Sequence, residues 1–185
     1  MTKEVITDMK AHMEKSVESL RREYQKVRTG RASTGLLDEI RVDYYGNPSP
    51  LSQVATLAIP EPRTITIQPW EAKIIPAIEK AIMNANLGIT PANDGKVIRI
   101  SLPPLTEERR KEIVKMLKKL AEDAKIAIRN IRREANDSLK KQEKDKKISE
   151  DDLKRAEKEV QDMTNAFVAK IDDVLAHKEK EVMEV

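Results

Sequence analysis

Residues 103–137 read PPLTEERRKEIVKMLKKLAEDAKIAIRNIRREAND, and this stretch decides the architecture. A double proline stops whatever precedes it, Thr106 offers an N-cap, and Glu107 and Glu108 favour the positive end of a helix. Apolar residues then recur at Ile113, Leu117, Leu120, Ala124, Ile128, Ile131, Ala135 and Leu139, in steps of three or four. That is the period of a long helix with one buried stripe. Arg129, Arg132 and Arg133 turn about 100° to 160° away from Ile131 at the ~100° per residue of a helix. They face outward, so a core role does not explain them. Lys125 projects from the same two turns, with Asn130 and Asn136 interspersed.

Working outward, two further stripes appear. Ile6, Met9, Met13, Val17, Leu20, Tyr24 and Val27 mark a helix over residues 3–29, which Gly30 ends. Leu153, Ala156, Val160, Met163, Phe167, Ile171 and Val174 mark another over about 150–183, opened by Ser149 and the acids that follow it. The long central helix should run from about 107 to 145. Three such helices can bury one another's stripes in an antiparallel bundle.

The middle of the chain obeys a different period. Prolines lie between Pro48 and Pro104. RVDYYGNPSP reads as a strand and a turn, QVATLAI and RTITIQPW alternate apolar and polar residues, and KVIRISLPP supplies another strand. AKIIPAIEKAIMNANLG reads as a short helix with Pro76 in its first turn. The fold class is therefore α+β with two domains: residues 1–30 with 105–185 as the bundle, and 31–104 as a small inserted α+β domain. The chain crosses between them at 29–33 and 102–106. Gly30 gives rotational freedom at one crossing, and Pro103 and Pro104 stiffen the other. Gly30, Arg31, Pro103, Pro104, Leu105 and Thr106 read as a functional hinge, with a fixed elbow as the alternative.

Composition narrows the function. Charged residues make up 36% of the chain and aromatics 3%, which suits amphipathic helices with solvated faces. Absent cysteine excludes thiolate and disulfide chemistry, and no apolar run approaches the ~20 residues of a membrane span. The N-terminal MTKEVITDMKAHMEK has no apolar signal core, so a cytoplasmic protein is expected. The net charge of +3 is unevenly spread: +2 over 1–30, zero over 31–104, +6 over 105–147 and −5 over 148–185. Mutual compensation between two helices would explain the lysines as well as a solvated face does. The arginine cluster is harder to dismiss.

No catalytic centre can be assembled. His12 and His177 lie on separate helices without ligand partners at motif spacing, and read as surface residues. There is no phosphate-binding glycine loop. Pairs such as Asp151/Asp152 and Asp172/Asp173 read as helix caps or solvated faces, and Trp70 as a core or surface anchor. No cofactor is expected. Arginine's planar fork contacts phosphate bidentately or stacks on a base, which points to RNA. Four phosphate contacts would give a salt slope near −3, at ~0.7 per single-strand contact. Without an aromatic RNP motif or a GXXG loop, recognition would be of shape and backbone.

The strings KVRTGRAS at 26–33, VDYYGNPSPLSQVA at 42–55, EKAIMNANLG at 79–88, PPLTEERRKE at 103–112 and IAIRNIRREAND at 126–137 closely resemble the bacterial ribosome recycling factor family. The resemblance spans nearly the whole chain in order. IPEPR at 59–63 and KKQEKDKKIS at 140–149 are less typical, lie in turns, and touch no proposed site. The resemblance implies an L-shaped, transfer-RNA-sized molecule made of a three-helix bundle and a β/α/β domain. It implies binding to the post-termination ribosome and subunit separation with elongation factor G and GTP, the hydrolysis being the partner's. Carried over by motif, large-subunit RNA would meet Arg129, Arg132 and Arg133, with Arg28 and Arg31 secondary. A monomer is expected, because each stripe is consumed within one bundle. The rivals are a helical adaptor or chaperone-like protein-binding module, an enzyme built on the α+β domain, and an organellar member of the same family.

Overall fold

A computed structural model describes residues 1–184. The chain divides into two compact units, Met1–Arg28 with Thr106–Glu184, and Thr29–Leu105.

The first unit consists of α1 (Thr2–Lys26), α3 (Glu107–Lys144) and α4 (Glu150–Met183), each packed on the other two. At 1.5 Å per residue, the 38 residues of α3 run about 57 Å. Its start is set by Thr106, whose Oγ1 accepts the Arg109 amide at 3.1 Å. A full capping box opens α4: Ser149 Oγ accepts from the Asp152 amide and Asp152 Oδ2 from the Ser149 amide. Because the Tyr24 hydroxyl donates to the Leu117 carbonyl at 2.7 Å, the end of α1 lies beside the beginning of α3. Arg110 Nη1 reaches the Met183 carbonyl, which brings the end of α4 there as well. So α3 runs against both neighbours, the short 145–149 link forcing the antiparallel pairing with α4.

The buried positions differ in detail from a single stripe. On α3 they are Ile113, Leu117, Ala121, Ile128, Ala135 and Leu139, whereas Leu120, Ala124 and Ile131 are only half-buried. On α4, Thr164 is buried and satisfies its hydroxyl on the Val160 carbonyl, while Leu153, Met163 and Val174 are half-buried. The first helix ends at Lys26, earlier than its apolar period suggests, because Val27 turns to extended backbone.

In the second unit, β1 (Arg41–Tyr44) and β2 (Asn47–Pro50) form a hairpin. A separate antiparallel sheet has the order β3-β4-β6-β5, with β3 Ala55–Glu61, β4 Thr64–Pro69, β5 Pro91–Asn93 and β6 Ile98–Ser101. Ile65 faces Ile100 and Ile67 faces Ile98 across the β4–β6 pair, and all four are fully buried. The α2 helix (Ile75–Asn84) lays Ile75, Ile78 and Ile82 onto this core at steps of three and four. The short β5 strand was not foreseen, since three residues beginning with proline carry no readable alternation.

Candidate nucleic-acid interface

The outward face of α3 is presented by one unbroken helix, Glu107–Lys144, so its side chains keep helical spacing. Four cations were expected on it, and the structure gives them different states. Arg133 is exposed and makes no ion pair or side-chain hydrogen bond among the described residues. Arg129 is exposed and pairs with Glu122 at 3.1 Å. Both partners are about half in water, which keeps such a pair within the ~0.2–1 kcal/mol of surface ion pairs, weak enough to exchange for phosphate. Arg132 is half-buried and donates to Gln161 Oε1 on α4 at 3.3 Å, leaving most of its five N–H groups uncommitted.

Lys125 is the exception. Its side chain is only 18% exposed and its Nζ lies 2.5 Å from Asp172 on α4. It does not join the arginines as an open phosphate ligand, because its charge is already spent holding α3 to α4. Ile126, by contrast, is 47% exposed in the same turns as Arg129, and was not singled out beforehand. The signal was available: Ile126 sits about 140° from Ile131 at ~100° per residue, well off the stripe. An exposed β-branched side chain one turn before Arg129 offers an apolar contact for a sugar or a base face.

The second set of expected residues lies at the crossings. Arg28 and Arg31 are both exposed. Gly30 adopts φ +80°, a conformation that other residues rarely take, and Leu105 packs over it: a Cβ there would sit 3.1 Å from Leu105 Cγ. Thr106 is committed as the α3 cap rather than to a free linker. Pro103 and Pro104 are exposed. Two backbone bonds tie the ends of the crossings to one turn: the Ala32 amide donates to the Pro62 carbonyl at 2.6 Å, and the Leu102 amide to the Arg63 carbonyl at 2.8 Å. IPEPR therefore meets the crossings at Ala32 and Leu102, and the expectation that both less typical stretches lie in turns is corrected: residues 59–61 belong to β3 and 140–144 to α3.

Elsewhere, titratable groups serve structure. Burial, then the Glu179 carboxylate, push the Tyr24 hydroxyl up to about 12. Glu71 accepts from both Tyr44 and Tyr45 hydroxyls at 2.7 Å, which holds its carboxyl below the usual range, and Lys73 adds to this. Trp70, next to it, is a surface residue. His12 is exposed and its Nδ1 lies 2.8 Å from the Asp8 carbonyl. Among the described residues, no three His, Cys, Asp or Glu side chains converge as a metal site. No described helix is long and apolar enough to cross a membrane.

These features define a class: a two-unit α+β protein whose long helical unit carries an arginine face suited to polyanion. The comparisons with known proteins name the family. Residues 20–183 match the family model described as ribosome recycling factor. The chain is 86% identical to the ribosome-recycling factor of Geobacter sulfurreducens and 84% to that of Geobacter metallireducens, each over 185 residues and the whole of both chains. A solution structure of the ribosome recycling factor superposes with a TM-score of 0.75 at 42% identity, covering 100% of this chain and 98% of the other. The T. thermophilus ribosome recycling factor, in models with E. coli elongation factor G bound to the E. coli post-termination complex, matches at 46% identity. Its TM-score is 0.64 with full coverage of both chains. The chain belongs to the ribosome recycling factor family. Membership makes it a translation factor, not an enzyme.

Proposed function

We propose that this protein acts in the cytoplasm, as a monomer, on the ribosome that has finished translation. It anchors to large-subunit RNA through the α3 face and, with elongation factor G and GTP, promotes separation of the subunits and release of mRNA. The observation that carries this reading is the cluster of Arg129, Arg132 and Arg133 on one rigid helix, committed at most to one weak contact each. A related chain titled as bound to a post-termination complex together with elongation factor G supports the choice of partners. Arg28 and Arg31 are secondary contacts in the same reading, and Ile126 is an apolar one.

Binding and swinging are separable in this mechanism. Anchoring needs only a fixed helix face, whereas separation needs the inserted domain to move at the crossings, residues 29–33 and 102–106. Free energy comes from the partner's GTP. The test is light scattering of post-termination ribosomes mixed with this protein, elongation factor G and GTP. Scattering should fall only when all are present, and Arg132→Ala should weaken ribosome binding by roughly 1–3 kcal/mol if it makes a charge-assisted contact. Unchanged scattering with a compatible factor pair would withdraw the proposal, and wild-type affinity in Arg132→Ala would remove that residue from it.

A further inference from the structure

We infer that the RNA-binding face crosses from α3 onto α4, where Asn165 is a further contact for an RNA phosphate and Gln161 couples it to Arg132. This rests on the RNA anchor proposed above. Gln161 and Asn165 are four residues apart, so they share one edge of α4, and both are exposed. Arg132 donates from Nη1 to Gln161 Oε1 at 3.3 Å, and Gln161 donates from Nε2 to Asn165 Oδ1 at 2.8 Å. Chemistry fixes the direction of this chain. A guanidinium has only donors, so it must meet the oxygen end of Gln161. That turns the Gln161 nitrogen toward Asn165, which answers with its own oxygen. The Asn165 NH2 group is left at the far end, with no partner among the described residues.

The seam between α3 and α4 therefore offers donors at both ends of the relay, the guanidinium on one helix and a carboxamide NH2 on the other. A nucleic-acid backbone presents charged acceptor oxygens, which arginine and asparagine side chains both bind. The rest of this edge agrees. Lys158, three residues before Gln161, is exposed and makes no ion pair among the described residues. Asp172, seven residues after Asn165, is held by Lys125 at 2.5 Å. Asp162 turns about 100° round the helix from Gln161, beyond Asn165 and away from α3. Where the seam ties the helices together it uses Lys125 with Asp172. At Arg132 it uses two neutral amides, which pass on the polarity of the guanidinium without neutralising it. Gln161 is thus a positioning residue, and Asn165 is the group that meets phosphate.

The test pairs two variants of the full-length chain. Asn165→Asp keeps an oxygen for Gln161 but turns the far end from donor to anion; Asn165→Ala removes both ends. In the free protein, the order parameter of the Gln161 side-chain amide should be held in wild type and Asn165→Asp and fall in Asn165→Ala. Affinity for post-termination ribosomes should drop about fivefold in Asn165→Ala and at least about tenfold in Asn165→Asp, the worth of a net hydrogen bond and of one to a charged group. The salt slope should hold in Asn165→Ala, which removes no charge, whereas Arg132→Ala should make it shallower by about 0.7. Ala166→Asp, an equal charge at an exposed neighbour about 100° round, should bind as wild type. All these positions except Arg132 are exposed, so the variants should keep the wild-type melting transition. A Gln161 amide equally mobile in wild type and Asn165→Ala overturns the relay. Wild-type affinity in Asn165→Asp, or equal loss in Ala166→Asp, overturns the contact. If Arg132→Ala and Arg133→Ala both bind as wild type, the anchor itself fails and the contact falls with it. Loss in those two alongside wild-type affinity in Asn165→Asp leaves the anchor standing on α3 alone.

Discussion

Replacing Arg133 by alanine and, separately, Lys125 by alanine should produce opposite phenotypes. Arg133 is exposed and without a partner among the described residues, so its loss leaves folding stability within about 0.5 kcal/mol. If it contacts phosphate, ribosome affinity falls by roughly 1–3 kcal/mol, or about 5- to 150-fold. The slope of log affinity against log salt should also become shallower by about 0.7–0.9, one phosphate contact's worth of released counterions. Lys125 is already paired at 2.5 Å with Asp172, with 18% of its side chain exposed. Its removal breaks the link between α3 and α4 and unpacks an aliphatic stem. That should cost about 1 kcal/mol of stability while affinity and salt slope stay near wild type. Titrating fluorescently labelled protein against post-termination ribosomes at several salt concentrations, with urea unfolding alongside, measures all three quantities. Equal loss of affinity in both variants, with Lys125→Ala as stable as wild type, would refute the ranking. A salt slope unmoved by Arg133→Ala would remove that residue from the interface.

Other outcomes follow from the same geometry. Tyr24→Phe loses the hydrogen bond to the Leu117 carbonyl, costing about 1 kcal/mol at neutral pH in a denaturant titration. The wild-type hydroxyl is raised in the folded state from 10.0 to about 12, so its contribution is intact below pH 10 and lost as pH rises toward 12. Wild type should lose roughly 2 kcal/mol more than Tyr24→Phe across that window, and parallel loss would disprove the assignment. Ser149→Ala removes the capping box and should lower stability by about 1 kcal/mol. The Asp152 carboxyl is held below its ordinary 3.8 chiefly by Ser149, so the wild type should also lose more stability than this variant as pH falls below that value. An acid-unfolding profile of identical shape in both would contradict it. Gly30→Ala puts a Cβ 3.1 Å from Leu105 in a left-handed backbone, a strain of about 1–2 kcal/mol. Splitting should slow while ribosome affinity holds, and unchanged splitting would argue against motion at Gly30.

The long helices were legible because their determinants are local. Thr106 and Ser149 announce their ends through bonds to residues three positions on, and each boundary falls where the cap places it. The second unit's strands were legible from alternation, since Ile65, Ile67, Ile98 and Ile100 each face one side. What escaped depends on partners distant in the chain. A helical wheel places Lys125 outward of a single stripe, but α3 packs on two helices, and the second carries Asp172 where Lys125 reaches it. The same widening buries Ala121 and leaves Leu120 half-exposed. The bonds to Pro62 and Arg63 are between backbone groups tens of residues apart, which no side-chain pattern encodes. Val27 fits its stripe perfectly and still leaves the helix, because apolar period does not report where the backbone turns extended.

The excess charge of +6 over 105–147 and −5 over 148–185 admitted two readings, compensation within a bundle or a face for polyanion. The pairing pattern separates them. Among the described residues, ion pairs between α3 and α4 are Lys118 with Glu179 and Lys125 with Asp172, and both use lysine. The acids that open α4 turn inward on their own helix: Glu150 pairs with Lys154, and Asp152 with Arg155 and the Ser149 cap. Not one carboxylate of α4 meets Arg129, Arg132 or Arg133, although Gln161 shows that α4 is within reach of Arg132. A surface selected for compensation would put acid opposite the strongest bidentate donors, where the pair gains most. Here the neighbour is a neutral amide, which orients a guanidinium without cancelling its charge. Compensation by α4 thus accounts for some of the lysines and for none of the arginines on this face, of which Arg129 alone meets an acid, Glu122 of its own helix, and the proposed RNA anchor requires that division. Gln161→Glu tests it: the new carboxylate should pair with Arg132, raise stability by up to about 1 kcal/mol, and lower ribosome affinity. An affinity equal to wild type would mean that Arg132 faces no phosphate.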